Sequence, residues 1–165
     1  NCPEVTVRRT IAAFALLCNT ATAQHTTDLY QQITAAEMTY DSAMAVQLGA
    51  DDYGMKPYVM AFLKRGPNRD HDADTALQKA HLDNIIRMAD AGQLVVAGPF
   101  LDDGEVRGIY IFDVATVEEA KALTETDPAV QAGRLSMDLH PWYGPAALTL
   151  MSPLSKRLEK KRVTD

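Results

Sequence analysis

Cysteine is nearly absent: the 165-residue chain holds two, Cys2 and Cys18, both close to its start. Nothing beyond position 18 can act as a thiol nucleophile, a thiolate metal ligand or half of a disulfide. Basic surface is also scarce. With a formal charge of -6 and a pI near 5.1, the chain lacks the clustered Lys/Arg face that phosphate neutralisation needs, so nucleic acid is not an expected partner. Its later basic clusters are short: Lys64-Arg65, and Lys156-Arg157 with Lys160-Lys161-Arg162 in a basic tail over residues 152–165, which reads as a solvated end. Also missing are a phosphate-binding loop, a dinucleotide fingerprint, a nucleophile elbow and an HExxH motif. Asp70, Asp72 and Asp74 alternate, but the Gly and Glu that an EF-hand loop needs are not there.

No apolar run is long enough to span a bilayer; residues 11–17, from Ile11 to Leu17, come nearest. Arg8-Arg9 precede that run and Ala21-Thr22-Ala23 follow it. A positive segment, a short apolar core and small residues at the -3 and -1 positions are what signal peptidase accepts. Residues 1–23 are therefore expected to be a signal peptide and the mature protein secreted or periplasmic, with an apolar first helix as the competing reading. Leu17 is too large for the site that would precede a lipidated Cys18. Cleavage after Ala23 would remove both cysteines, in keeping with export.

The whole chain is 47% hydrophobic, enough for one compact domain. Residues 24–55 are polar to amphipathic and end in Gly49-Ala50-Asp51-Asp52-Tyr53-Gly54, which predicts a short helix and a linker. Residues 56–151 are regular. Residues 58–64 form a predicted buried strand stopped by Gly66-Pro67. Asp74 caps a helix whose apolar positions Leu77, Leu82, Ile85, Ile86 and Ala89 recur at helical spacing until Gly92. Residues 94–100 and 106–114 read as a hairpin around Asp103-Gly104. Thr116-Val117-Glu118-Glu119 is a capping box opening a helix over 117–124, Asp127-Pro128 breaks the chain, and a short helix carries 129–132. Residues 135–142 alternate as a fourth strand, and 146–151 suggest a short edge strand.

The order β-α-β-β-α-β predicts an α+β, ferredoxin-like fold, an antiparallel sheet with helices on one face. The other face then needs cover. A homodimer whose two sheets enclose a shared cavity, a dimeric α/β barrel, is the economical solution.

Two residues resist explanation by packing alone. His81 lies beside the apolar stripe of the first domain helix, and Asp127 sits at a helix junction. If the fold joins them, the carboxylate orients and polarises the imidazole, the minimum apparatus for acid/base chemistry near neutral pH. The competing reading is an ordinary helix histidine and a helix cap. Gly98, Pro99 and Phe100 are candidates for a ligand-facing strand end, with Gly98 admitting backbone close to a ligand and Phe100 forming a wall. Arg107 is a candidate for an anionic substrate oxygen, against pairing with Asp102 or Asp103; Arg134 is a weaker case. Trp142, beside His140 and Tyr143, is a candidate for a cavity or interface wall. His71, His81 and His140 show no ligand spacing, so no metal is expected, and His25 reads as solvated.

The helix histidine His81, the run Gly92-Gln93-Leu94-Val95-Val96-Ala97-Gly98-Pro99 and the pair Asp127-Pro128 together resemble the YciI-like (YCII-related) domain family over residues 57–151. The resemblance implies a ferredoxin-like, usually dimeric fold with a His-Asp site. It also implies relatives that include cofactor-free dehydrochlorinases of chlorinated hydroxyquinols. The functional expectation is thus a cofactor-independent enzyme using His81 and Asp127 on a small, cyclic or aromatic hydroxylated molecule. Elimination, isomerisation and hydrolysis all fit such a pair. The alternative is a non-catalytic small-molecule-binding or dimeric assembly module.

Overall fold

The computed structural model describes residue 31, residues 39–68 and residues 74–164. The expected signal peptide, His25, His71 and the loop 69–73 lie outside the described residues.

The elements run α1 (Ser42–Leu48), β1 (Met55–Arg65), α2 (Thr75–Asp90), β2 (Leu94–Pro99), β3 (Val106–Phe112), α3 (Val117–Thr124), α4 (Pro128–Gln131) and β4 (Leu135–Pro145). A 3-10 turn (Ala146–Leu150) and α5 (Met151–Lys156) follow. The local signals act as their chemistry requires. Asp74 accepts a hydrogen bond from the Leu77 amide at 2.9 Å and starts α2; Gly92, at a φ of 71°, takes the left-handed conformation just beyond its end. Thr116 and Glu119 form the reciprocal capping box of α3.

The four strands make one antiparallel sheet in the order β2-β3-β1-β4. This is the expected βαββαβ architecture. Its main core lies between sheet and helices: Val59, Ala61 and Leu63 of β1, Leu94 of β2 and Tyr110 and Phe112 of β3 meet Met88 of α2 and Ala120 of α3. Leu135, Met137 and Leu139 of β4 complete it. β4 occupies an edge, which is why it accommodates Pro141 and still runs on to Pro145, beyond the expected end at 142.

The end of the domain departs from expectation. Residues 146–151 form no edge strand: the chain turns into the 3-10 helix, and Leu148 packs on a second cluster of Tyr58, Val95 and Ile111 on the opposite sheet face. The cause is polar as well as apolar. The Tyr58 hydroxyl donates to the carbonyls of Pro145 and Ala146 at 3.0 and 3.3 Å, pulling the chain over the sheet instead of along its edge. Part of the face expected to need a partner is thus covered by the chain's own C-terminal segment. Residues 49–54 are tied down too, since Ala146 donates to the Gly54 carbonyl and the Tyr143 hydroxyl to Asp51.

Candidate active site

Asp127 has two duties. As N-cap of α4 its Oδ1 accepts from the Ala129 amide at 2.9 Å, with Pro128 in the first helical position, where its missing N–H costs nothing. It is wholly buried, at 0% exposure. The second duty is to His81, whose Nδ1 lies 2.9 Å from Oδ1 and 2.8 Å from Oδ2. Carboxylate oxygens accept, so Nδ1–H donates, and in the neutral ring the lone pair is then on Nε2.

α2 and α4 hold this geometry. Arg87, on α2, donates to Asn84 Oδ1 at 3.1 and 2.8 Å and to Thr126 Oγ1 at 2.9 Å, pinning the residue before Asp127 to the helix that carries His81. Beyond the ring, the Tyr110 hydroxyl is 3.5 Å from Nε2, long for a hydrogen bond, with the two rings stacked at 6.5 Å. Nε2 is therefore not tied up. Burial, and then the negative charge of Asp127, push the Tyr110 phenol well above its ordinary value, so it stays a donor at neutral pH.

These phenols set an alkaline limit on stability. Tyr110 is raised, and burial and then Asp113 raise Tyr58 to about 12 from an ordinary 10.0. A folded-state value above the unfolded one contributes stability that is complete below the unfolded value and is lost as pH rises through the folded one. The urea midpoint should therefore fall from pH 10 upward, starting at the ordinary tyrosine value of 10.0. Tyr110→Phe should flatten that fall; an equally steep fall in the variant would reject the assignment.

His81 and Tyr110 line a cavity of about 520 Å³ whose apolar walls include Leu63, Leu82 and Ile85 and whose polar lining includes Gln78, Asp103 and three arginines, Arg65, Arg107 and Arg134. Gly98 and Pro99 line it as well. Arg107 arrives through a bulge. Leu63 pairs with Gly108 and Lys64 with Val106, so Arg107 is skipped; strict alternation would have set it on the face opposite Tyr110. Its guanidinium also makes the anticipated loop contacts, to the Asp102 carbonyl at 3.1 Å and Asp103 Oδ1 at 3.3 Å.

Two expected wall residues are elsewhere. Phe100 follows the last residue of β2, is 42% exposed and does not line the cavity; its amide continues the ladder by donating to the Arg107 carbonyl. Trp142 packs against Tyr58, the ring centroids 5.9 Å apart and the planes tilted by 36°, on the opposite face of the sheet. His140 shares that face, packed edge-on against Phe62, so His81 and His140 are separated by the sheet and cannot share a metal ion. The cavity itself lies on the helix-covered side of the sheet. Glycine at 98 is not sterically required, since a Cβ built there meets nothing within 4 Å; the close approach belongs to Gly108, whose Cβ would stand 2.5 Å from the Gly98 carbonyl oxygen.

Tyr110, Arg65, Gln78, Asn84 and Arg87 were not singled out by sequence. A signal existed only for Tyr110: it shares strand parity with Phe112 and so must bury a hydroxyl that needs a partner.

No curated protein matches the chain. Among solved structures it is similar to 5-chloro-2-hydroxyhydroquinone dehydrochlorinase from Burkholderia phenoliruptrix in complex with 2,5-dihydroxybenzoquinone. The identity is 17%, over 51% of this chain and 92% of that one, with a TM-score of 0.41. The YCII-related domain matches residues 57–142, the stretch that runs from β1 through most of β4 and carries His81, Asp127 and every described cavity-lining residue but Val163. The chain belongs to the YCII-related domain family.

Proposed function

We propose that this domain is a cofactor-independent enzyme that performs acid/base chemistry on a small, cyclic or aromatic, hydroxylated organic molecule. The observation that carries the reading is a single one. A buried carboxylate meets His81 Nδ1 with both oxygens, and the same histidine lines a cavity of about 520 Å³, large enough for one ring. In this reading Nε2 takes a proton from the substrate and returns it. Asp127 holds the tautomer and offsets the imidazolium charge, Arg107 holds an anionic oxygen, and Gly98 and Pro99 form part of the wall. Export and a homodimer belong to the same proposal; the half-buried Met60, Phe62 and Ile109 on the sheet face away from the helices supply apolar area for a partner copy.

The test is turnover of a panel of hydroxylated aromatics, chlorinated and unchlorinated, with and without a ring carboxylate, followed by absorbance. His81→Ala should lower kcat by about 10²–10⁴-fold with little change in binding. Equal turnover in both proteins would remove the histidine from the chemistry. If neither protein turns anything over while both bind panel members equally, the domain is a binding module.

A further inference from the structure

We infer that the cavity is built for an organic anion, and that Asp103 occupies the place its carboxylate takes. The inference rests on the proposed function for the neighbouring chemistry, but its geometry is separate. Arg65 comes from the end of β1, Arg107 from the bulge of β3 and Arg134 from the residue before β4, and all three line the cavity of His81. A chain with a formal charge of -6 thus gathers three guanidinium groups around one concave site. Among the described lining residues Asp103 is the single carboxylate, and Arg134 is bonded to the neutral Gln78.

Asp103 marks a specific point. Its Oδ1 accepts from both Arg65 Nη2 and Arg107 Nη1, so two cations from different strands converge on one carboxylate oxygen. The arginine side chains are only 24% and 31% exposed, whereas that of Asp103 is 92% exposed. An ion pair whose anion is fully hydrated is weak and readily opened. A ligand carboxylate entering from the cavity side would be less hydrated, would meet the same two planar forks, and could place its ring against Leu63 and Leu82 near His81 Nε2. The internal carboxylate is then a competitor that keeps the arginines converged and neutralised while the site is empty. The ligand class is accordingly a hydroxylated ring that also bears a carboxylate, which narrows the proposed substrate class.

The probe is 4-hydroxybenzoate, with the neutral 4-hydroxybenzamide beside it, titrated calorimetrically at low and at physiological salt. Asp103→Asn removes the competitor without emptying its position. It should tighten 4-hydroxybenzoate by about 5-fold, an exposed ion pair's worth, and leave 4-hydroxybenzamide unchanged. Arg65→Gln and Arg107→Gln should each weaken the acid by at least about 10-fold and reduce its salt dependence. Unchanged or weaker binding of the acid to a folded Asp103→Asn, or equal affinity for acid and amide in the unaltered protein, overturns the inference. His81→Ala keeps the two readings apart: it should retain the acid's affinity even if no turnover is ever found, and loss of turnover alone says nothing against the anion site.

Discussion

Asp127→Asn is expected to leave the domain folded and to take away most of the acid/base capacity proposed for it. Asparagine keeps an oxygen for the Ala129 amide, which Asp127 Oδ1 now accepts at 2.9 Å, and it is as good an N-cap as aspartate. The difference falls on the histidine. The carboxamide turns an N–H₂ toward Nδ1, and two donors cannot face each other; the ring responds by moving its proton to Nε2. That nitrogen then offers a hydrogen to the cavity instead of a lone pair. A base in the wrong tautomer should cost about 10²–10⁴-fold in kcat, with a much smaller change in KM. The readout that needs no substrate is the pair of ring ¹⁵N shifts, which should exchange assignments between the two proteins. An Asp127→Asn protein within tenfold of the parent's kcat, or with unexchanged shifts, would remove the dyad from the mechanism. Asp127→Ala makes the useful contrast. It strands the buried Nδ1–H and the Ala129 N–H, and should cost about 1–3 kcal/mol of stability for each donor left without a partner.

The second large effect is expected at Gly108, on stability and site shape together. A Cβ there would lie 2.5 Å from the Gly98 carbonyl oxygen and 3.1 Å from Pro99 Cα, both backbone atoms that no rotamer change can move aside. Gly108→Ala must therefore push the end of β2 off β3. Overpacking of this kind costs about 1–3 kcal/mol, and here it displaces the strand end that lines the cavity. Gly98→Ala, into open space and at no positive φ, should change stability by no more than about 0.5 kcal/mol. Paired urea unfolding curves check both. Similar midpoints for the two variants would show that β2 yields at no cost and that the close approach is not a constraint.

Most of the architecture is legible residue by residue because its signals are local. Asp74, Gly92 and the Thr116-Glu119 box act within one helical turn of where they stand, and strand alternation needs only neighbours. The error at 146–151 has the opposite origin. Whether Ala146 to Leu150 extends a sheet or folds over it depends on the Tyr58 hydroxyl, 87 and 88 positions away from the carbonyls it holds. The placement of Phe100 and Trp142 is of the same kind: both are aromatic and near a strand end, but the turn after β2 and the parity of β4 decide where each stands.

By itself the sequence determined the order of elements, the single sheet with its helical layer, the absence of thiol chemistry beyond Cys18, and the two residue types able to move a proton, His81 and Asp127. These follow from composition and from interactions spanning a few residues. Only the tertiary structure decided that the imidazole and carboxylate meet across 46 positions, that Tyr110 backs them, and that a one-residue bulge sends Arg107 to the cavity of Arg65 and Arg134. Those outcomes depend on strand register and helix docking, which are set by the whole core at once, and a bulge of one residue reverses the side on which a side chain falls.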